Sequence, residues 1–159
     1  MSTRGLVGFY SGGKLYGIFS SCDSYFSSLG VAVIESVQHF LFEQDLDSIK
    51  KNLVSIEWST NEDLKYTSVG AEDLIELVAC DKTLGLVSSN EKIRKLFQDN
   101  QVFTLFNDED FINDTLFCEW AYVINLDNKM LEIRTSDEDW FEFPLFNLDL
   151  SQIQKAVKT

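Results

Sequence analysis

"RGLVGFYSGGKLYGIFSS", Arg4 to Ser21, decides how the chain is organised. Two short runs rich in apolar and aromatic residues flank Ser11-Gly12-Gly13-Lys14, and glycine supplies the positive φ values that a tight turn demands. The stretch therefore reads as a β-hairpin with strands over 6–10 and 15–20. A matching signal lies near the other end, where "AYVINLDNKMLEIRT" (Ala121 to Thr135) forms two strand-like runs around the turn formers Asp127 and Asn128. "DWFEFPLF" (Asp139 to Phe146) alternates once more until Pro144, a residue suited to an edge strand or a strand end.

Between these hairpins the period changes. Leu29, Val33, Ile34, Val37, Phe40 and Leu41 recur at spacings of three and four, which lays one apolar stripe along a helix. "DLDSIKKNLVSIEW" (Asp45 to Trp58) repeats the pattern through Leu46, Ile49, Leu53 and Ile56, with Asp45 placed to cap it. "GAEDLIELVACD" offers Leu74, Ile75, Leu77 and Val78 as a short helix or a helix running into a strand. Ser88 and Glu91 have capping-box spacing ahead of Ile93, Leu96 and Phe97, "QVFTLF" (101–106) reads as a strand, and "LSQIQKAV" as a closing helix. No repeat or Pro/Gly linker divides the chain. These elements predict one α+β domain over 1–159, an antiparallel sheet built from the N- and C-terminal hairpins with helices packed on one face.

Composition narrows the function. An apolar content of 45% and thirteen phenylalanines argue against disorder. The 26 acidic residues against 13 basic ones give a net charge of −13, which repels phosphate backbones and anionic membranes and so disfavours direct binding to either. The same field favours a basic protein surface, including a groove that otherwise holds nucleic acid. Cys22, Cys80 and Cys118 are an odd, widely spaced set that fits reduced thiols better than disulfides or paired metal ligands. "MSTRGLVGF" lacks the basic start and apolar run of a signal peptide, so a cytoplasmic location is expected.

Candidate chemistry is sparse, and no motif calls for a cofactor or a metal. His39 is the single histidine, and on the first helix it falls between Glu35 and Glu43, which marks a solvated flank more than a general base. Cys22 lies beside Asp23, whereas an activated cysteine wants positive surroundings. Asp23, Ser24, Ser27 and Ser28 are explained as turn and cap groups for the amides around Leu29 to Val31. Arg4, the first arginine and the only one before Arg94, together with Asp23, Ser24 and Tyr25, could wall a small-ligand pocket; a strand-end ion pair with Asp23 is the simpler role. "NDEDFIND" and "TSDEDWFE" could in principle ligate a hard cation through Asp108, Asp110 and Asp114 or Asp137 and Asp139, but neither has the glycine turn and distal glutamate of an EF-hand loop. With Phe111, Trp140 and Phe141 interleaved, Asp108, Asp110, Asp137 and Asp139 read instead as docking segments for a basic partner. A free N-terminal Ser2 or Thr3 ahead of a hairpin would suit an N-terminal-nucleophile hydrolase, although no accompanying lysine or oxyanion group can be placed.

"TRGLVGF" followed by "GK" and "DSYFSSLG", and later "EWAYVINLDNKMLEI", resemble an uncharacterised family found in phages, bacteria and some fungi. That family opens on a TRG-x-x-GF hairpin and carries a WAYVIDLD hairpin near its end. The resemblance covers about a fifth of the chain and implies paired hairpins in one domain, with no activity or ligand. Ser20-Ser21-Cys22 stand where the family has Asn-His-Phe, and Phe26 replaces its proline. If the family histidine does acid-base work, this chain has lost it. The resulting expectation is a non-enzymatic, acidic binding protein, of which a counter-defence inhibitor from a mobile element is one form. The alternative is a small-ligand binder or hydrolase using the first hairpin and the Asp23 loop.

Overall fold

A computed structural model describes residues 3–41, 45–64, 69–79, 90–99 and 104–157. The chain runs β1 (Gly5–Ser11), β2 (Lys14–Ser20), α1 (Val31–Phe40), α2 (Leu46–Ser55), β3 (Glu57–Ser59), α3 (Leu74–Ala79), α4 (Glu91–Asp99), β4 (Thr104–Phe106), β5 (Trp120–Asn125), β6 (Met130–Arg134), β7 (Trp140–Pro144) and α5 (Leu150–Val157). This is the α+β class that the sequence pattern predicts.

The main sheet has the order β2-β1-β5-β6-β7. Both hairpins are present, the first closed by Gly12 and Gly13 at φ 61° and 79°, where a Cβ would be strained. Their junction corrects the antiparallel expectation: β1 pairs with β5 in parallel, from Gly5 opposite Trp120 to Tyr10 opposite Asn125. The helical middle returns the chain to the end at which β1 began, the crossover that parallel pairing requires. Both hairpin turns consequently lie at one end of the sheet. There the Asp127 carboxylate accepts hydrogen bonds from the amides of Gly12 (3.0 Å) and Gly13 (3.2 Å).

Register divides the residues between two faces. Val7, Phe9, Ile18, Tyr122, Ile124, Leu131 and Ile133 share one face and pack with Val33, Ile34 and Val37 of α1, Ile49 and Leu53 of α2, Leu74 and Val78 of α3, and Ile153 of α5. A π-helical turn over Phe26–Gly30 leads into α1, and a Cβ at Gly30 would stand 2.7 Å from the Phe26 ring and 3.0 Å from that of Tyr122. Glycine there lets the start of α1 settle on the sheet. The second face is covered differently, by the segment 108–118: Leu6, Ala121 and Cys118 pack with Leu15, Phe111 and Ile112.

One boundary differs from the sequence reading. The second helix ends at Ser55, and Ile56 turns extended (ψ 135°) into β3, which pairs in parallel with β4 as a separate two-stranded sheet. Leu53 and Ile56 suit the buried side of either a helix or a helix ending in a strand, so spacing alone could not fix the boundary. Asn90 caps α4, accepting from the amides of Lys92 (3.1 Å) and Ile93 (3.5 Å). Ser88, Glu43, Cys80, Ser2, the side chains of Leu96 and Phe97, and 101–103 of the expected strand lie outside the described residues. Asp45 does cap α2, through the Asp47 amide (3.1 Å). No helix among the described residues is long and apolar enough to cross a membrane.

Candidate functional site

The Asp23 loop does not assemble the expected pocket. Ser24 is fully buried, its amide donating to the Thr3 carbonyl (3.2 Å) and its carbonyl accepting from the Tyr122 hydroxyl (2.8 Å). Its Oγ has no hydrogen-bond partner among the described residues and lies against Gly5, so it meets no solvent-borne ligand. The Arg4 guanidinium sits 4.6 Å above the Phe117 ring, and no ion pair joins it to Asp23 among the described residues. Tyr25 is 48% exposed and contributes its carbonyl to the π-helical turn. Only Asp23, at φ 53°, reaches an open cleft of about 280 Å³, which it lines with Ser20, Cys22, Ser28, Leu29, Ala32 and Glu72. Nor does a side chain among the described residues cap this turn: the amides of Ser28, Leu29 and Gly30 bond to the backbone carbonyls of Asp23 and Tyr25. His39 lies on the exposed flank of α1, edge-on to Phe40.

Asp108 departs from the docking expectation. It is 8% exposed and its amide donates to the Gly17 carbonyl (2.9 Å). Beside it, the Asn107 side chain accepts from the Gly17 amide (2.9 Å) and donates to the Leu15 carbonyl (3.0 Å). Side-chain amide and backbone thus satisfy three groups along the outer edge of β2. The Asn107 amide in turn donates to Ser59 (2.8 Å), which ties the small sheet to the large one. A polar pair ahead of a helical turn gives no sequence sign of such reach.

The remaining docking residues lie along one face of the sheet, Phe111 near its β2 edge and Trp140 on its β7 edge. The pairing register aligns Phe19, Leu6, Ala121, Arg134 and Trp140 in one row across the second face. Phe111, in the helical turn Glu109–Asn113, packs edge-on to Phe19 with ring centres 4.9 Å apart. Arg134 is 5% exposed; its guanidinium donates to the carbonyls of Ile112 and Cys118 (2.9 Å for the latter) and stands 5.7 Å from the Trp140 ring centre. The two acidic-aromatic segments, far apart in sequence, therefore share one buried cation. Burial pushes the Cys118 thiol up to about 11 against the opposing pull of Arg134. On the two segments tied to it, Leu116 (78%), Phe117 (42%) and Trp140 (49%) are exposed, as are Asp110, Asp114, Asp137, Glu138 and Asp139. Sequence reasoning missed Arg134, Leu116 and Phe117; an arginine facing away from the core strand residues Leu131 and Ile133 looks like any solvated strand position.

Among the described residues no three of His, Cys, Asp or Glu gather as a metal site. Comparison with known family models, with curated proteins and with solved structures finds no match.

Proposed function

We propose that this chain is a non-enzymatic binding protein of the cytoplasm, docking the acidic, aromatic-studded second face of its sheet onto a basic protein surface. What carries the reading is the shared anchor: Arg134 holds the 112–118 segment and stands over Trp140, so two segments that each expose apolar groups and carboxylates are tied to one side chain. Aromatic anchors within a charged rim are how protein interfaces combine affinity with steering. Removing Asp108 from the docking set leaves Asp110, Asp137 and Asp139 with Phe111 and Trp140.

The test is capture of partners from an extract of the native host by wild type and by a triple variant, Asp110→Lys, Asp137→Lys and Asp139→Lys. Raising ionic strength from about 0.1 M to about 1 M shortens the screening length from about 10 Å to about 3 Å. A partner that is basic, lost at high salt and lost by the triple variant supports the reading. Partners held equally in all conditions would overturn it.

A further inference from the structure

The two edges of the five-stranded sheet end differently. Along β2, Asn107 and Asp108 take the outward-facing groups of Leu15 and Gly17. Along β7, none of the described residues does so. The bonds from the Thr135 amide to Asp139 (2.9 Å) and from the Leu145 amide to Lys129 (3.0 Å) fix the alternation of the β6–β7 ladder. Phe141 and Phe143 turn their N–H and C=O toward β6, whereas Trp140 and Glu142 turn theirs outward. Both of these residues have exposed side chains, and an open edge of this kind is a template for another strand.

Charge selects the strand. Residues 136–149 contain Asp137, Glu138, Asp139, Glu142 and Asp149 and no lysine or arginine. Glu142 lies directly across the ladder from Glu132, two like charges on one face, with an Asn125 amide (3.1 Å) on Glu132 and no cation in ion-pair reach among the described residues. Like charges directly opposite destabilise a strand pair. A second copy pairing through this edge about a two-fold axis would lay two such cation-free, acidic stretches side by side and add to the repulsion. A cationic side chain on an added strand would instead continue the row beside Glu142 and relieve it.

We infer that β7 accepts an extended basic segment of a partner protein as a sixth, antiparallel strand, with Lys or Arg at alternate positions beside Trp140 and Glu142. This rests on the binding reading above and narrows it to one edge and one class of partner. Pro144, lacking an N–H, sets the far limit of the pairing.

The probe is the peptide Lys-Val-Lys-Thr-Lys-Val-Lys, titrated into the full chain with amide exchange followed at Trp140 and Glu142. In the antiparallel register the lysine N–H groups face β7. N-methylation at the lysines should therefore weaken binding by at least about tenfold, while N-methylation at Val and Thr leaves it near the parent value. Exchange at the Trp140 and Glu142 amides should slow on binding. Equal effects of the two methylation patterns, or unchanged exchange at both amides, overturn strand addition. If binding under those outcomes still falls with salt, the wider docking reading stands; if the Lys-to-Glu peptide binds as well as the parent, both are overturned.

Discussion

Arg134 and Trp140 face each other across the β6–β7 pair, the guanidinium 5.7 Å from the indole centre while its nitrogens hold the carbonyls of Ile112 and Cys118. A buried guanidinium is tolerable because its fork of donors meets carbonyl dipoles and an aromatic face. Arg134→Met keeps much of the apolar stem but strands two carbonyls in a dry site. Thermal or urea unfolding should show a loss of roughly 2–3 kcal/mol, and Arg134→Lys should restore only part of it, because one ammonium cannot reproduce the planar fork. Stability within a few tenths of wild type for Arg134→Met would show that the 112–118 segment is held by its apolar contacts alone.

Asn107 closes the β2 edge, and its two hydrogen bonds ask for an acceptor and a donor on one side chain. Asn107→Asp keeps the acceptor for Gly17 and turns a second acceptor on the Leu15 carbonyl; Asn107→Ala leaves both groups open. Each should cost roughly 1–3 kcal/mol. The Ala variant should also gain concentration-dependent self-association, since an uncovered edge invites pairing. Sedimentation showing the same assembly state as wild type at every concentration would count against the edge-covering role.

The local elements were legible because their signals are local. Gly12-Gly13 announced a turn, Asp45 a cap, and the stripe from Leu29 to Leu41 a buried helix face. What escaped depends on contacts between distant residues. The parallel seam of β1 and β5 depends on where the helical crossover leaves the chain, which neither hairpin encodes. Asp108 and Asp110 look alike in "NDEDFIND", yet one is buried against β2 and the other exposed, a difference set by the reach of Asn107 to Gly17. Asp127 was readable as a turn former; that its carboxylate spans to the other hairpin was not.

That span makes one pH dependence assignable. The Gly12 and Gly13 amides hold the Asp127 carboxyl below its ordinary value, aided by the charge of Lys50. Because the folded value is depressed, the stabilisation is complete above the unfolded value of about 3.9 and is lost as pH falls through the lower folded value. Asp127→Asn should accordingly melt below wild type at neutral pH, with the gap closing in acid. Added salt should shrink the gap too, since the group is exposed. A melting difference that persists undiminished in acid would assign the effect to side-chain shape instead of charge.

Tyr122 and Ser24 provide a matched pair of substitutions at the base of the Asp23 loop. The Tyr122 hydroxyl is buried and donates to the Ser24 carbonyl at 2.8 Å, and its burial raises the phenol well above the ordinary range. Tyr122→Phe preserves the ring that packs beneath Gly30 and deletes that bond, so unfolding should lose roughly 1 kcal/mol or somewhat more. Ser24→Ala removes a desolvated Oγ that bonds to nothing described, and should leave stability unchanged or raise it by up to about 1 kcal/mol. The signs should be opposite even though both changes delete a single buried oxygen. A marked loss in Ser24→Ala would mean that its hydroxyl is partnered in solution, and would return the loop to consideration as a site that holds something.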